Sequence, residues 1–340
     1  MKKILVTGGT GLVGSHLLYR LLSGDNDIYA IKRNNSDTGK TLKILSYYGG
    51  NYQELFNKIN WIDVDIVNSI DVNEKLPNDL DEIYHCAALV SYLKKDKDAM
   101  LETNVDGTAN IVNFSLVNNI KKFCYVSSIA SLGGSIDGEP IVEESEWVDS
   151  DNISAYSKSK FYAENEVWRG IAEGLDAVIV NPSVILGAGN WKSSSSAVFP
   201  IIHKNLKFFT RGVTGFVDVR DLVEIMIRLT DKNKFNERFI VSSENVSYEE
   251  LFSFIADSLN VAKPKIYANK KLTSIAWRVE FLKSLLLGVK PVITKQSATT
   301  SHKILKYSND KITKTLNFKF KTIADSVQEI GGIYLDDIKN

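Results

Sequence analysis

The sequence is poor in cysteine and proline and carries no net charge. Its 340 residues include 2 Cys and 6 Pro, and 41 basic residues balance 41 acidic ones. So few cysteines exclude a disulfide scaffold, and Cys86 and Cys124 each lie in an apolar run typical of a core strand. The neutral total argues against a dedicated nucleic-acid binder. With 44% hydrophobic and 24% charged residues, the composition is not that of a disordered or fibrous protein.

Long hydrophobic runs are also missing. No stretch of about 18 apolar residues occurs, so no transmembrane segment is predicted. Near the N-terminus only Ile4-Leu5-Val6 is continuously apolar, which is far shorter than the core of a secretory signal. We therefore expect a soluble, cytoplasmic protein. No cluster of His, Cys and acidic residues has the spacing of metal ligands, so no metal is expected.

The neutral total conceals two oppositely charged parts of the chain. Residues 261–340 hold 15 basic and 6 acidic residues, a net charge of +9, whereas residues 1–260 hold 26 and 35, a net charge of −9. Solvated helix faces are the simplest explanation of the basic part. An anionic substrate, or peripheral contact with an anionic membrane, are the alternatives.

The first two thirds of the chain alternate short β-branched runs with longer helical patterns. This alternation is typical of an α/β fold in which helices connect the parallel strands of a doubly wound sheet. The predicted strands are Lys3–Thr7, Ile28–Lys32, Trp61–Val64, Glu82–Cys86, Lys122–Ser127 and Ala177–Asn181. The predicted helices between them include Gly14–Leu22, Lys97–Asn118 and Ser154–Gly174. Further on, a strand is predicted at Gly215–Val219 and a helix at Arg220–Leu229, and the rest is mixed and mainly helical.

A glycine-rich turn follows the first strand and opens the first helix. Gly8, Gly11 and Gly14 stand at three-residue spacing within it. Glycine permits a tight turn and a close approach of the backbone to a pyrophosphate, and the N-terminus of the helix offers free N–H groups to the anion. The placement favours a dinucleotide-binding Rossmann fold over an ordinary glycine-rich turn. The cofactor contacts predicted here are Gly8, Thr10, Gly11, Leu12, Val13 and Gly14.

The end of the second strand should lie beside the adenosine ribose. An acidic residue there suits NAD, whereas a basic residue suits the 2′-phosphate of NADP. The strand ends in Lys32-Arg33, and no acid follows until Asp37. We therefore favour NADP. Lys32 and Arg33 could also simply solvate a strand end, which leaves NAD open.

A tyrosine and a lysine lie one helical turn apart in Tyr156-Ser157-Lys158-Ser159-Lys160. Residues i and i+4 share a helix face. A phenol with a pKa near 10 is a poor proton donor at neutral pH, but a nearby cation lowers that pKa and suits the tyrosine to proton transfer. A Tyr-x-x-x-Lys pattern alone is also common on solvated helix faces.

Together these motifs resemble the short-chain dehydrogenase/reductase superfamily, in the extended branch that includes the NAD-dependent epimerase/dehydratase family. The resemblance covers about the first 230 residues and favours the side of the branch that holds dihydroflavonol reductases and 3β-hydroxysteroid dehydrogenases. It rests on Thr7–Gly14, Asp65-Ile66, Ala87-Ala88, Asn104, Ser128, Tyr156 with Lys160, Asn181–Gly187 and Phe216–Asp221.

The resemblance implies roles for these residues. Tyr156 would be the general acid/base, and Lys160 would lower its pKa and hold the nicotinamide ribose. Counting back from Gly133 assigns the hydroxyl that orients the substrate oxygen to Ser128, with Ser127 as the alternative, while Asn104 would support Lys160 through a water. The further cofactor contacts implied are Lys32, Arg33, Asp65, Ile66, Ala87, Ala88, Pro182, Ser183 and Val184, and the substrate contacts are Ser91, Ser128 and Asn181.

The chain is thus predicted to be an NAD(P)(H)-dependent oxidoreductase acting on a carbonyl or secondary alcohol of a small molecule. A nucleotide-sugar epimerase is one alternative, and a non-enzymatic NADP-responsive regulator is another. Ile129-Ala130 replaces the Asp-Glu pair of the family's dehydratases, which argues against dehydration. The predicted domains are an NAD(P)-binding Rossmann domain of residues 1–185, with a return at about 213–230, and a smaller, mainly helical substrate lobe of residues 186–340, partly interleaved with it. A homodimer is implied by the resemblance only.

Overall fold

The computed structural model describes residues 1–91, 93–135, 138–150, 153–192, 195–287 and 294–339. Its strands are β1 Lys2–Thr7, β2 Asn26–Lys32, β3 Ile59–Asp63, β4 Glu82–His85, β5 Lys122–Val126, β6 Ala177–Pro182, β7 Val184–Leu186, β8 Phe208–Phe209, β9 Val213–Asp218, β10 Glu237–Val241, β11 Glu244–Ser247 and β12 Ile266–Tyr267. Seven of these form one parallel sheet in the order β10-β6-β5-β4-β1-β2-β3. The predicted doubly wound parallel sheet is therefore confirmed.

Helices cover the sheet. They are α1 Leu12–Leu22, α2 Gly39–Ser46, α3 Tyr52–Asn57, α4 Ser69–Lys75, α5 Lys97–Leu101, α6 Gly107–Val117, α7 Ala155–Ala172, α8 Val198–His203, α9 Val219–Asp231, α10 Tyr248–Ser258, α11 Lys270–Leu287, α12 Lys295–Thr300, α13 Asp310–Leu316 and α14 Ile323–Asp337. Two apolar clusters pack against the sheet, one holding side chains of α1 and α9 and the other holding side chains of α6 and α7. Helices on both faces explain why β1 and β6 read as nearly continuous apolar runs.

The seventh strand of the sheet was not predicted. The strand expected at Gly215–Val219 is present as β9, but it pairs with β7 and β11 in a separate three-stranded sheet. The strand that extends the main sheet is β10, which pairs with β6. Its sequence, Glu237-Arg238-Phe239-Ile240-Val241, is too short an apolar run to identify a strand from its pattern alone.

The C-terminal part of the chain is mainly helical, as expected, and has its own core. A third apolar cluster joins α8, α10 and α14 to β9 and β11. Within the described residues, no helix is both long enough and apolar enough to cross a membrane. The division into domains at residue 185 stays a prediction.

The topology places the motifs at one edge of the sheet. The chain order reverses between β1 and β4, which are neighbours in the sheet. Parallel α/β sheets bind ligands in the crevice at the carboxyl ends of the strands at such a switch point. The glycine-rich turn follows β1, Cys86-Ala87-Ala88 follows β4, and Ser127-Ser128 follows β5, so all three lie at that edge.

Candidate active site

The glycine-rich turn has no room for side chains. Gly8 has a φ of +67°, and a Cβ there would lie 2.8 Å from the backbone of Ala87. A Cβ on Gly14 would lie 2.2 Å from the carbonyl oxygen of Gly8. The backbone N–H of Gly11 donates to that same oxygen at 2.9 Å, and α1 begins with no acidic residue in its first turn. The bare backbone and the uncapped helix N-terminus fit the pyrophosphate of a dinucleotide.

A cleft of about 580 Å³ adjoins this turn, on the side of β2. Its lining includes Thr10, Arg33, Ser36, Lys40 and Asp65. Its position beyond the carboxyl ends of β2 and β3 is the one expected for the adenosine half of a dinucleotide.

The two basic residues predicted at the end of β2 differ in their surroundings. Lys32 Nζ lies 2.5 Å from the carboxylate of Asp63, on the neighbouring strand β3. Arg33, like Lys40, lines the cleft, and no salt bridge among the described residues uses either side chain. Asp63 therefore already balances the charge of Lys32, whereas Arg33 lines the cleft, and the roles of both residues toward a cofactor stay predictions. The sequence pattern does not single out Lys40, because it lies eight residues beyond the end of β2, in α2.

The residues predicted as cofactor contacts after β3 and β4 differ in how exposed they are. Asp65 is exposed in the cleft, and one carboxylate oxygen accepts a hydrogen bond from the backbone of Val67 at 3.1 Å. Ile66 is buried and packs against Gly107, so only its backbone faces outward. The N–H of Ala87 donates to Thr7 Oγ1 at 3.0 Å, which holds the end of β4 against the glycine-rich turn. Ala88 follows it and is exposed.

Tyr156 is the second residue of α7, and the helix begins with a side-chain cap. Ser154 Oγ accepts the N–H of Ser157 at 2.9 Å, which satisfies one of the unpaired donors of the first turn. Tyr156 also interacts electrostatically with Tyr125 of β5, so the helix start faces the end of that strand. Tyr156 and Lys160 both lie in α7, four residues apart, so they share a helix face.

Lys160 is almost completely buried. Its ammonium donates to the hydroxyl of Tyr125 at 3.0 Å and to the carbonyl of Val126 at 2.8 Å, and lies 4.7 Å from the centre of the Tyr125 ring. Burial lowers the pKa of Lys160 to about 8, and the carboxylate of Glu164 acts in the opposite direction. The lysine still carries its proton at neutral pH, although it lies within the protein interior.

Asn104 lies in one turn of π-helix, Glu102–Asp106, between α5 and α6. Its side-chain oxygen accepts the N–H of Leu89 at 2.7 Å, and its amide donates to the carbonyl of Leu89 at 3.0 Å and to Ser159 Oγ at 2.9 Å. Asn104 therefore connects the segment after β4 to α7, next to Lys160. π-Helical turns are frequent at functional sites. The water-mediated support of Lys160 stays a prediction.

Ser127 and Ser128 follow β5 and differ in what they contact. Ser127 is buried, and its hydroxyl donates to Glu164 at 2.5 Å. Ser128 caps the short turn Ile129–Ser131, where its Oγ accepts the N–H of Ala130 at 3.1 Å. Because Ser127 already donates its proton to a carboxylate, the structure favours Ser128 over Ser127 as the hydroxyl of the site.

Two predicted substrate contacts have partners inside the protein. Asn181 has no exposed surface, and its amide donates to Glu164 at 2.8 Å and to the carbonyl of Ser128 at 3.2 Å. Ser91 donates to Asp96 at 2.6 Å. The structure does not bring Asn181 to a substrate surface, because its position at the end of β6 points its amide under the turn that follows β5.

The Pro182–Val184 segment is only partly available to a nicotinamide. The backbone N–H of Ser183 donates to the carbonyl of Val241 at 3.0 Å, and its hydroxyl lies 3.4 Å from the same oxygen. Pro182 ends β6 and has no N–H. Val184 begins β7 and pairs in register with Phe216 of β9, so the contact of this segment with a nicotinamide stays a prediction.

Comparison with known proteins places this site in a family. The model of the NAD dependent epimerase/dehydratase family matches residues 4–241. The chain belongs to this family. A putative dihydroflavonol 4-reductase of Synechocystis sp. is 26% identical over 331 residues, which cover 95% of this chain and 92% of that protein. The UDP-glucose 4-epimerase of Vibrio cholerae is 27% identical over 275 residues, 76% of each chain. The crystal structure of gox2253 has a TM-score of 0.78 and 25% identity, and the match covers 99% of both chains.

The predicted membership of the epimerase/dehydratase family is thus confirmed, and so is the α/β fold. The protein is an NAD(P)-dependent enzyme of the oxidoreductase or epimerase type. The relatives named here are enzymes, and the alternative of a non-enzymatic regulator receives no support.

Proposed function

We propose that this enzyme reduces a carbonyl of a small molecule with NADPH, or catalyses the reverse oxidation, with Tyr156 as the acid/base. The observation that carries the proposal is the buried, cationic Lys160 one helical turn from Tyr156, at the edge of the sheet where the glycine-rich turn lies. Bound there, the reduced nicotinamide would supply a hydride. The protein would supply position and a proton.

Each of the three side chains has a separate task. The Tyr156 hydroxyl donates its proton to the substrate oxygen as that oxygen gains charge. The positive charge of Lys160 stabilises the phenolate that remains, which is how a cation makes a phenol a better acid. Ser128, held by the turn that follows β5, donates a hydrogen bond that orients the substrate oxygen. Asn104 fixes the helix next to Lys160 through Ser159.

NADP is proposed as the cofactor because basic side chains follow β2 and no acid ends that strand. Arg33 and Lys40 line the cleft; of its four aspartates, Asp63 and Asp71 are already paired with lysines, and Asp37 and Asp65 are the others. A 2′-phosphate would give both cations a partner, while a 2′-hydroxyl would not. Backbone N–H groups at the start of α1 would hold the pyrophosphate, and Asp65 would face the adenine.

The first experiment is a titration with NADPH and NADH separately, followed by a panel of carbonyl substrates with the preferred cofactor. Tyr156→Phe should lower kcat by about 10²–10⁴-fold, the usual contribution of a positioned acid, and leave cofactor affinity nearly unchanged. Tyr267→Phe is the matched control, since Tyr267 lies in β12, outside α7, with 43% of its surface exposed. Turnover retained by Tyr156→Phe would overturn the mechanism.

Epimerisation is the second candidate, because the UDP-glucose 4-epimerase of Vibrio cholerae matches as much as 76% of this chain. An epimerase of this kind should purify with bound NAD and interconvert sugars with no net change in cofactor absorbance. A reductase should instead purify without cofactor and consume NADPH in proportion to product. Absorbance near 340 nm during turnover therefore separates the two.

We also propose a homodimer formed through α5–α6 and α7, in the cytoplasm. A surface recess of about 410 Å³ lies between these helices and is lined by Leu101, Val105 and Tyr162 with acidic residues around them. Apolar side chains on neighbouring helices can pack against the same helices of a second copy of the chain. Light scattering after size-exclusion chromatography tests it, and a monomer at all concentrations would rule it out.

A further inference from the structure

We propose that Glu164 is a positioning residue of this enzyme: its buried carboxylate holds the turn that presents Ser128 and supplies the negative charge that faces Lys160. The inference rests on the proposed function. The motifs used above gave Glu164 no role, and its partners come from strands and turns far away in the sequence.

Glu164 continues the helix face that carries the two predicted catalytic side chains. It follows Tyr156 by eight residues and Lys160 by four, so all three lie along one side of α7. The whole residue is 2% exposed. The donors to its carboxylate are Ser127 Oγ at 2.5 Å, Ser131 Oγ at 2.7 Å and Asn181 Nδ2 at 2.8 Å on one oxygen, and Arg238 Nη1 at 3.0 Å and Trp168 Nε1 at 3.3 Å on the other. An ionised carboxylate, which only accepts, is the group that satisfies so many donors.

These contacts hold the turn on both sides of Ser128. Ser127 precedes it and Ser131 ends the turn, and both hydroxyls lie within hydrogen-bond distance of the same carboxylate oxygen. Asn181 joins that oxygen to the carbonyl of Ser128 itself. The position of Ser128 is therefore set by one buried oxygen atom that three neighbouring side chains share.

The same carboxylate acts on Lys160. The titratable groups of the described residues that face this lysine are Tyr156 and Glu164 on α7, and His85, Cys86 and Tyr125 on or just after the strands. Burial holds the pKa of His85 near 3 and raises that of Cys86 to about 12, and it raises the pKa of Tyr125 well above 10. These three groups are uncharged near neutral pH. Glu164 therefore provides the negative charge that keeps Lys160 protonated against burial.

Arg238 completes the arrangement from the other side. Its guanidinium donates to Glu164 and to the carbonyl of Glu143, so it is held in place by two acceptors on different elements. The side chain of Arg238 is 22% exposed and that of Glu164 is 3% exposed. A buried carboxylate without such a partner would be costly, and Arg238 makes the charge of Glu164 tolerable next to the site.

The test compares Glu164→Gln with Glu164→Asp. The Gln variant keeps the size of the side chain but loses the charge, so the alkaline limb of kcat/KM should move to lower pH by about one pH unit, and kcat should fall about tenfold. The Asp variant keeps the charge on a shorter side chain, so the alkaline limb of kcat/KM should remain at its wild-type pH while kcat falls. In the cofactor-free protein, the ¹⁵N signal of the Lys160 ammonium should titrate at a lower pH in the Gln variant only.

Glu82→Gln is the matched control. Glu82 is equally buried but lies at the opposite end of β4, paired with Lys2 at 2.8 Å. Its variant should lose stability and keep both the limb and kcat. If Glu164→Gln does not fold, Ser131→Ala removes one contact of the turn and should lower kcat severalfold with the limb unmoved.

The outcomes separate the two proposals. A Gln variant whose limb and lysine signal match the wild type overturns the electrostatic role of Glu164, and an unchanged kcat in Ser131→Ala overturns its hold on the turn. Both can happen while Tyr156→Phe remains inactive, which leaves the proposed function intact. Turnover in Tyr156→Phe overturns the proposed function instead.

Discussion

Helix α1 and strand β6, on the side of the glycine-rich turn, differ from helices α11 and α14, in the C-terminal part, in how tightly their residues are constrained. Gly14 and Gly332 both lie within helices, α1 and α14. A Cβ on Gly14 would meet a backbone oxygen at 2.2 Å, whereas a Cβ on Gly332 would meet nothing within 4 Å. Likewise every residue of β6 is buried, while Ile275 and Val279 of α11 are 59% and 57% exposed. The start of α1 and the strand β6 are therefore fixed by close contacts, whereas α11 and the outer face of α14 are open to solvent.

The largest expected effect is that of Gly14→Ala. The added methyl group cannot coexist with the Gly8 carbonyl, so α1 must move away from the turn, at a cost of about 3 kcal/mol of stability. The displaced N–H groups should also weaken NADPH binding at least tenfold. Urea unfolding and a fluorescence titration measure the two effects. A variant with unchanged stability and affinity would show that the turn is less tightly packed than the distances indicate.

The second prediction compares Arg33, which lines the cleft after β2, with Lys32, which ends that strand. Arg33→Ala should weaken NADPH binding by about 10–100-fold, since a charge-assisted contact with phosphate contributes about 1.5–3 kcal/mol, and should leave NADH binding unchanged. Lys32→Ala is the control, and its effect should be much smaller because Asp63 already binds that ammonium. Equal losses in the two variants would contradict the division of roles.

The third prediction concerns the loss of folding stability at acidic pH. Burial lowers the pKa of His16 to about 4 and that of His85 to about 3. The unfolded chain then binds protons below about pH 6.5 that the folded protein does not, so stability falls as pH falls from 6.5 toward 4. His16→Gln should reduce this pH slope by about one proton. In the lobe, His302→Gln should change it little, because His302 lies closer to the surface. Denaturant midpoints between pH 4 and 7 provide the measurement.

The smallest expected effect has the opposite sign. Gly332→Ala places a methyl group in open space on α14 and removes the backbone freedom of glycine from the unfolded chain. It should stabilise the protein by about 0.5–1 kcal/mol. A loss of stability would show that the lobe is packed more tightly around α14 than its open surface indicates.

Much of the cofactor side could be predicted from the sequence because its signals are local. The glycine spacing, the Tyr156–Lys160 pair and the first six strands depend on residues close together in the chain. In the structure the ends of these six strands lie within two residues of the prediction, and the largest differences are the earlier starts of β2 and β3. Function could be predicted to the level of enzyme family for the same reason.

The surroundings of the other site residues could not be predicted, because they depend on contacts between strands and turns that are distant in the sequence. Nothing in the pattern around Lys32 shows that Asp63 lies beside it, because the two meet only when β2 pairs with β3. The burial of Asn181 and the role of Glu164 depend in the same way on the turn after β5 and on Arg238. A residue that resembles a ligand contact in the sequence can thus have a structural role in the fold, because its hydrogen-bond or ion-pair partner lies on a distant segment of the chain.

The late position of β10 in the chain has a consequence for biosynthesis. Arg238 and Glu164 are separated by 74 residues, and the whole β7–α9 region must be made before the last strand of the main sheet can pair. A nascent or truncated chain that stops before residue 237 leaves β6, an apolar strand, with an open edge. Such an edge recruits other strands. The main sheet is thus completed only by a strand made late, and premature termination before residue 237 should produce aggregates rather than a smaller soluble nucleotide-binding protein.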